Sequence, residues 1–280
     1  MQRVHFIAIG GEAMHNLAIA LSKKNEYEVT GSDDEIFEPS YSRLKENGLL
    51  PREIGWFPER IHKNLNAVIL GMHAAEDNPE LIRAKELGIH IYSFPEYLFQ
   101  QTRSKTRIVV GGSHGKTTTT AMILFVLKKC RIKADYIVGE QIEGFNEKIK
   151  LSFESRIAVF EGDEYLTSTL DRRPKFHLYK PHIAILTGIA WDHINVFPTF
   201  EFYVDQFRKF LNTLETQARL IYFAGDENLK MLTDEAENTR RDVVSFPYNT
   251  PKYETRDGVT YVKTRKGEVA LKIFGEHNLQ

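Results

Sequence analysis

Gly111-Gly112-Ser113-His114-Gly115-Lys116-Thr117-Thr118 is the stretch of this chain whose residue types and order point most directly to chemistry. It follows an apolar run at 108–110 and opens a helix-forming run. In that setting, glycines let backbone N–H groups turn inward around an anion, and the helix start adds a partial positive charge. Lys116 is placed to reach the outer phosphates of a nucleotide, and the Thr117 hydroxyl offers a hard oxygen to Mg2+. The general phosphate-loop pattern wants glycine where this chain has Val110, so the loop is a shorter variant. The competing reading is an ordinary glycine-rich turn with a solvated lysine.

Other groups fall at strand ends, where chemistry on an α/β scaffold is built. Glu161-Gly162-Asp163-Glu164 closes a later strand, and Glu161 is a hard oxygen donor of the kind Mg2+ prefers or a solvated carboxylate. His193, after Asp192, is a metal ligand or a hydrogen-bonded structural histidine. Arg172, Arg173 and Lys175 form a basic cluster that either binds substrate carboxylates or phosphates or is a solvated turn. Near the N-terminus, Gly10-Gly11-Glu12-Ala13-Met14 follows a strand and precedes a helix, so its amides suit a diphosphate. It does not satisfy Gly-x-Gly-x-x-Gly, which argues against a nicotinamide oxidoreductase. Ser32-Asp33, ending the second strand, sits where a ribose or base contact is placed, or else caps a turn; His73 is similarly poised after the third.

These groups need a rigid frame. Over the first hundred residues, β-branched runs at 4–9, 28–31, 67–71 and 89–92 alternate with helix-length stretches at 14–23, 40–46 and 79–87. That alternation predicts a parallel sheet covered by helices. A polar segment at 100–106 separates a second unit, with strands expected at 108–110, 157–160, 183–186, 220–223 and 243–246 and helices at 116–130 and 200–214. Runs at 259–263 and 268–273 flank Arg265-Lys266-Gly267 and read as a hairpin. The predicted class is α/β: an N-terminal Rossmann-like parallel-sheet domain followed by a P-loop α/β domain.

The bulk properties narrow the function classes. At 280 residues the chain exceeds what one core usually supports, so two domains are expected. A formal charge of -1 gives no electrostatic reason for nucleic-acid or membrane binding, so any anion must be held locally. Cys130 is the only cysteine, which excludes an intrachain disulfide and a cysteine metal cage. The apolar run at 4–9 is too short for a secretory signal, and no run is long enough to span a bilayer, so a cytoplasmic protein is expected.

The short form of the loop, Gly112 to Thr118, resembles that of the muramyl ligase family, whose members handle cell-wall precursors. Glu161-Gly162-Asp163-Glu164 and Asp192-His193 resemble that family's acidic and Asp-His motifs, in the same order. Phe274-Gly275-Glu276-His277-Asn278 resembles its Gly-x-His-Asn junction with a C-terminal domain. The resemblance implies a UDP-sugar-binding domain at 1–106, a central ATP-binding domain at 107–280 and a further acceptor-binding domain after the junction. It also implies ATP and Mg2+ as cofactors. Nucleotide contacts would come from Gly112 through Thr118 with His277 and Asn278, metal contacts from Thr117, Glu161 and His193, and catalytic duties from Lys116, Glu161 and His193. UDP-N-acetylmuramate would lie against residues 10 to 15, ending at His15, with Ser32, Asp33, His73, Arg172 and Arg173.

Two segments, Gly11-Glu12-Ala13-Met14-His15-Asn16-Leu17 and Asp171-Arg172-Arg173-Pro174-Lys175-Phe176, resemble the branch that joins UDP-N-acetylmuramate to L-alanyl-γ-D-glutamyl-meso-diaminopimelate. The sister branch uses L-alanine; a non-ligase ATPase switch is the reading from another class. Gly188 and Asn195 depart from the family's usual Asn and Asp, and Phe207 stands where several members carry a carbamylated lysine.

Overall fold

Valine- and isoleucine-rich runs separated by helix-length stretches bury best as a parallel sheet with helices on its faces. The computed structural model, which describes residues 1–168, 170–192 and 194–271, has two such sheets. The first is built by β1 (Gln2–Ile7), α1 (Glu12–Ser22), β2 (Tyr27–Ser32), α2 (Ser40–Glu46), β3 (Ala67–Leu70), α3 (Pro79–Glu86) and β4 (Ile91–Ser93). Its strand order is β2-β1-β3-β4, all parallel. Because β1 sends the chain to one side and β3 returns on the other, the loop after β1 opens into a crevice at the carboxyl edge.

The segment expected as a polar separator differs from the structure in its first half. Phe94–Thr102 forms a helix, α4, started by a capping box between Ser93 and Glu96. It buries Phe94, Tyr97 and Leu98, which offsets the weak helix propensity of its aromatic residues.

The second sheet contains β5 (Thr106–Gly111), β6 (Ala134–Ile137), β7 (Ile149–Lys150), β8 (Ile157–Glu161), β9 (Ile183–Leu186), β10 (Arg219–Phe223) and β11 (Val244–Tyr248). Its helices are α5 (Lys116–Lys129), α6 (Phe200–Asn212) and α7 (Glu227–Thr239). The order β11-β10-β9-β5-β8-β6-β7 places β5 between β8 and β9, and among the described residues of this sheet only the edge strand β7 is antiparallel. The register sets Val110 opposite Glu161 and Gly111 opposite Leu186, so the loops leaving β5, β8 and β9 emerge side by side. The expected hairpin forms from β13 (Val259–Thr264) and β14 (Gly267–Leu271), with β12 (Tyr253–Arg256) as a third strand. Residues 272–273 of that expectation lie outside the described residues.

Aromatic packing fixes α6 against this sheet. Phe176 stacks on Phe210 with centroids 4.6 Å apart and meets Phe207 edge-on at 5.5 Å. Phe207 is completely buried, so this position is filled with hydrocarbon and offers no ligand to an ion. Where α4 meets the second sheet, the buried Arg107 donates to the carbonyls of Thr102, Arg103, Tyr179 and Lys180, and its NH2 reaches Glu215 at 2.5 Å. Those carbonyls include orphan acceptors at the end of α4. Among the described residues no helix is long and apolar enough to cross a membrane.

Candidate functional site

The phosphate loop is locked by its neighbour from β9. Gly112 has φ +127°, and a Cβ there would meet Thr187 Oγ1 at 2.2 Å and the Gly188 carbonyl at 3.0 Å, so only glycine fits. The Ser113 amide donates to Gly188 O at 2.9 Å, and its hydroxyl donates to Ala190 O at 2.6 Å while accepting from the Ala190 amide at 2.8 Å. Tyr203 of α6 adds a 3.0 Å contact to the same hydroxyl. Ser113 therefore joins two loops, and neither its amide nor its hydroxyl is turned toward a ligand. His114, Gly115 and Thr118 are exposed. Gly115, left-handed at φ +79°, is the N-cap of α5, and no side chain among the described residues caps that helix. The first-turn amides are thereby left for a ligand.

Two side-chain pairs follow the loop. Lys116 Nζ donates to Gly112 O at 2.7 Å and to both oxygens of Glu164 at 2.9 and 3.1 Å. Glu164 is fully buried; desolvation pushes its carboxyl above the usual range, and the Lys116 ammonium pulls the other way. Thr117 Oγ1 donates to Glu161 Oε1 at 2.7 Å, while Glu161 Oε2 accepts the Gly139 amide at 2.9 Å. A hydroxyl and a carboxylate side by side are the hard oxygen donors that Mg2+ takes, so Thr117 and Glu161 would suit such an ion. Among the described residues there is no cluster of three or more His, Cys, Asp or Glu side chains that would cage an ion without such help.

The first-domain loop is built differently from expectation. The Asp33 carboxylate accepts the Gly10 amide at 2.6 Å, and burial pushes its pKa up to about 6. Ser32 is buried, with its hydroxyl 3.4 Å from His5 Nε2 and 3.3 Å from Arg60 NH1. His15 is buried too: its Nδ1 lies 3.1 Å from Gly11 O and 2.9 Å from Ser40 Oγ, and desolvation lowers its pKa. Asp33 and His15 shape the loop from behind it.

A cleft of about 550 Å³ lies between the two sheets. It brings together Gly11, Glu12, Ala13, Met14 and His73 of the first unit with Lys116 and Glu161 of the second. Lys148, Lys175 and Glu164 also line it. Lys148 Nζ bridges the units, reaching Glu12 at 2.5 Å and Gly139 O at 3.1 Å. The basic cluster does not converge on this space as a group. Arg173 pairs with Asp171 at 2.6 Å, Lys175 pairs with Asp163 at 2.6 Å, and Arg172 is exposed. His193, His277 and Asn278 lie outside the described residues. Thr187, Gly139, Lys148 and Tyr203 complete the arrangement, and their partners are too distant in the chain to leave a local motif.

Residues 3–106 match the description "Mur ligase family, catalytic domain" and residues 110–280 the "Mur ligase middle domain". The chain is similar to the UDP-N-acetylmuramate–L-alanine ligase of Carboxydothermus hydrogenoformans, 30% identical over 289 residues that cover 100% of this chain and 60% of that protein. It is also similar to the UDP-N-acetylmuramate–L-alanyl-gamma-D-glutamyl-meso-2,6-diaminoheptandioate ligase of Escherichia coli, 29% identical over 99% of this chain and 61% of that protein. Among solved structures, the enzyme of the latter type from Neisseria meningitides superposes with a TM-score of 0.83 at 23% identity, covering 100% of this chain and 90% of that one. UDP-N-acetylmuramate-alanine ligase from Thermotoga maritima gives 0.71 at 24%, covering 100% and 62%. At those identities the superpositions bear on the fold alone. The chain spans about 60% of the length of the curated relatives it matches.

Proposed function

Because the chain belongs to the Mur ligase family, we propose that it is the UDP-sugar- and ATP-handling part of an ATP-dependent amide ligase joining UDP-N-acetylmuramate to L-alanyl-γ-D-glutamyl-meso-diaminopimelate. In this reading residues 1–106 hold the UDP-sugar and 107–280 hold ATP. The observation that carries it is the convergence of Lys116, Glu161 and the Gly11 loop on one cleft, with Thr117 bonded to Glu161.

The chemistry asks little of a general base at first. A carboxylate of pKa near ~4 is already an anionic nucleophile at neutral pH, so it attacks the γ-phosphorus directly and ADP leaves. The protein must hold two repelling anions in line, and Lys116 with the first-turn amides of α5 supplies positive charge at that point. Thr117 and Glu161 would hold Mg2+, with His193 as a further ligand; the ion neutralises phosphate charge when bound. In the second step the acceptor amine attacks the acyl carbon, the carbon–oxygen bond to phosphate breaks, and the nitrogen loses a proton. His277 and Asn278 are assigned to the nucleotide base or ribose.

L-alanine is the second acceptor considered, favoured by the similarity to alanine-adding relatives. Two measurements test the proposal. Mg-ATP should bind the wild-type chain and fail to bind Lys116→Ala; equal affinity for both would remove the nucleotide site. For the acceptor, the full-length protein is incubated with Mg-ATP, UDP-N-acetylmuramate and equal amounts of L-alanine and the tripeptide. A product mass corresponding to the alanine adduct would overturn the tripeptide assignment.

A further inference from the structure

A lysine ammonium has three N–H donors. In this structure those of Lys116 are all engaged, by the Gly112 carbonyl and both oxygens of Glu164. The pair is enclosed, with side chains 14% and 1% exposed. An arriving phosphate therefore meets an ammonium whose charge is already neutralised by a carboxylate that cannot retreat into water.

We propose that Glu164 is a positioning residue acting through Lys116: it holds the ammonium as an internal stand-in for a phosphate and surrenders part of it when a triphosphate binds. The inference rests on the nucleotide-binding reading above. Exchange is partial, because full withdrawal of Lys116 would strand a buried, unpaired carboxylate. Burial already works against the ionised form of Glu164, and Lys116 is the main group offsetting it. The Gly112 carbonyl keeps the ammonium at the loop throughout, so donors can be traded without losing its location. Glu164 thus lowers ground-state affinity for the nucleotide in return for a lysine fixed in advance.

The test is a titration of a non-hydrolysable Mg-ATP analogue into wild type, Glu164→Gln, Lys116→Ala and the double variant. Gln keeps the shape and one acceptor while removing the charge. With the Lys116 donors that Glu164 holds released to the phosphate, affinity should rise about tenfold, the order of one net charge-assisted hydrogen bond. The gain should vanish in the double variant, which should bind as poorly as Lys116→Ala. A merely structural role would lower the melting temperature and affinity, not raise affinity. Equal or weaker binding by a folded Glu164→Gln overturns the proposal, as does a gain that survives in the double variant. Should Glu164→Gln not fold, Glu164→Asp draws the carboxylate back and should give a smaller gain; no gain overturns the proposal. A wild-type chain that binds no nucleotide overturns both this inference and the reading beneath it, whereas failure confined to the Glu164 variants overturns this one alone.

Discussion

Replacing Gly112 with Ala tests the loop with the smallest possible perturbation. The new methyl would sit 2.2 Å from Thr187 Oγ1 and 3.0 Å from both the Thr187 amide and the Gly188 carbonyl. The hydroxyl can rotate away, but the two backbone atoms cannot without moving the loop after β9. A non-glycine residue held at φ +127° adds strain of about 1–3 kcal/mol. The displaced loop also carries the Ser113 clamp to Gly188 and Ala190, each bond of which contributes about 1 kcal/mol. Part of that clamp survives relaxation, so the expected destabilisation is about 2–4 kcal/mol, or a melting shift of roughly 5–10 °C for a unit of this size. Because Gly112 O also anchors Lys116, Mg-ATP affinity should fall at least tenfold, read by calorimetric titration alongside thermal melting. Combining the change with Thr187→Ala should recover only a part, since the backbone contacts remain. Wild-type melting and affinity in Gly112→Ala would refute the close-approach argument.

Other outcomes follow from the same geometry. Glu161→Gln weakens the Thr117–Glu161 oxygen pair as a cation site, so the increase in ATP affinity on adding Mg2+ should shrink about tenfold or more; an unchanged Mg2+ dependence would exclude Glu161 as a ligand. Asp33 has a folded pKa raised from 3.8 to about 6, so the folded state binds the extra proton and stability is lost as pH rises through that window. Asp33→Asn should remove this slope, gaining on the order of 2 kcal/mol relative to wild type by pH 7 while keeping an acceptor for the Gly10 amide; parallel urea-unfolding profiles from pH 4 to 7 would contradict it.

Much of the frame was legible because its signals are local. The helix at 40–46 and the strand at 183–186 fall where periodicity puts them, and the glycine–lysine–threonine order announces the turn from β5 into α5. What escaped depends on contacts distant in sequence. Ser93 and Glu96 carried a capping signal for α4, but its polar end at Gln100 and Gln101 reads as a linker until Gln101 is seen bonded to Tyr27 and Lys24. The helix Glu227–Thr239 has an apolar stripe at Leu229, Leu232 and Ala236 diluted by acidic residues. Ser32, Asp33 and His15 read from the sequence as substrate contacts, and nothing in their order shows that they are buried. Glu164 could not be told from a surface carboxylate, because Lys116 lies 48 positions away.

Arg107 has a bearing on how this protein can be divided. Its guanidinium grips the end of α4 and the loop at Tyr179, while the ring of Phe99 on α4 meets the cations of Arg107 and Lys180 at 4.8 and 5.2 Å. The same helix reaches back through Gln101 to Tyr27. A gene cut between codons 106 and 107 would therefore deprive Arg107 of the Thr102 and Arg103 carbonyls, leaving it Tyr179, Lys180 and Glu215, and would leave the upstream fragment with an unsatisfied helix end. Moving the breakpoint ahead of Phe94 keeps the rivet with the second sheet but parts Glu96 from Ser93 and Gln101 from Tyr27, so neither side of α4 offers a cut that leaves both halves whole.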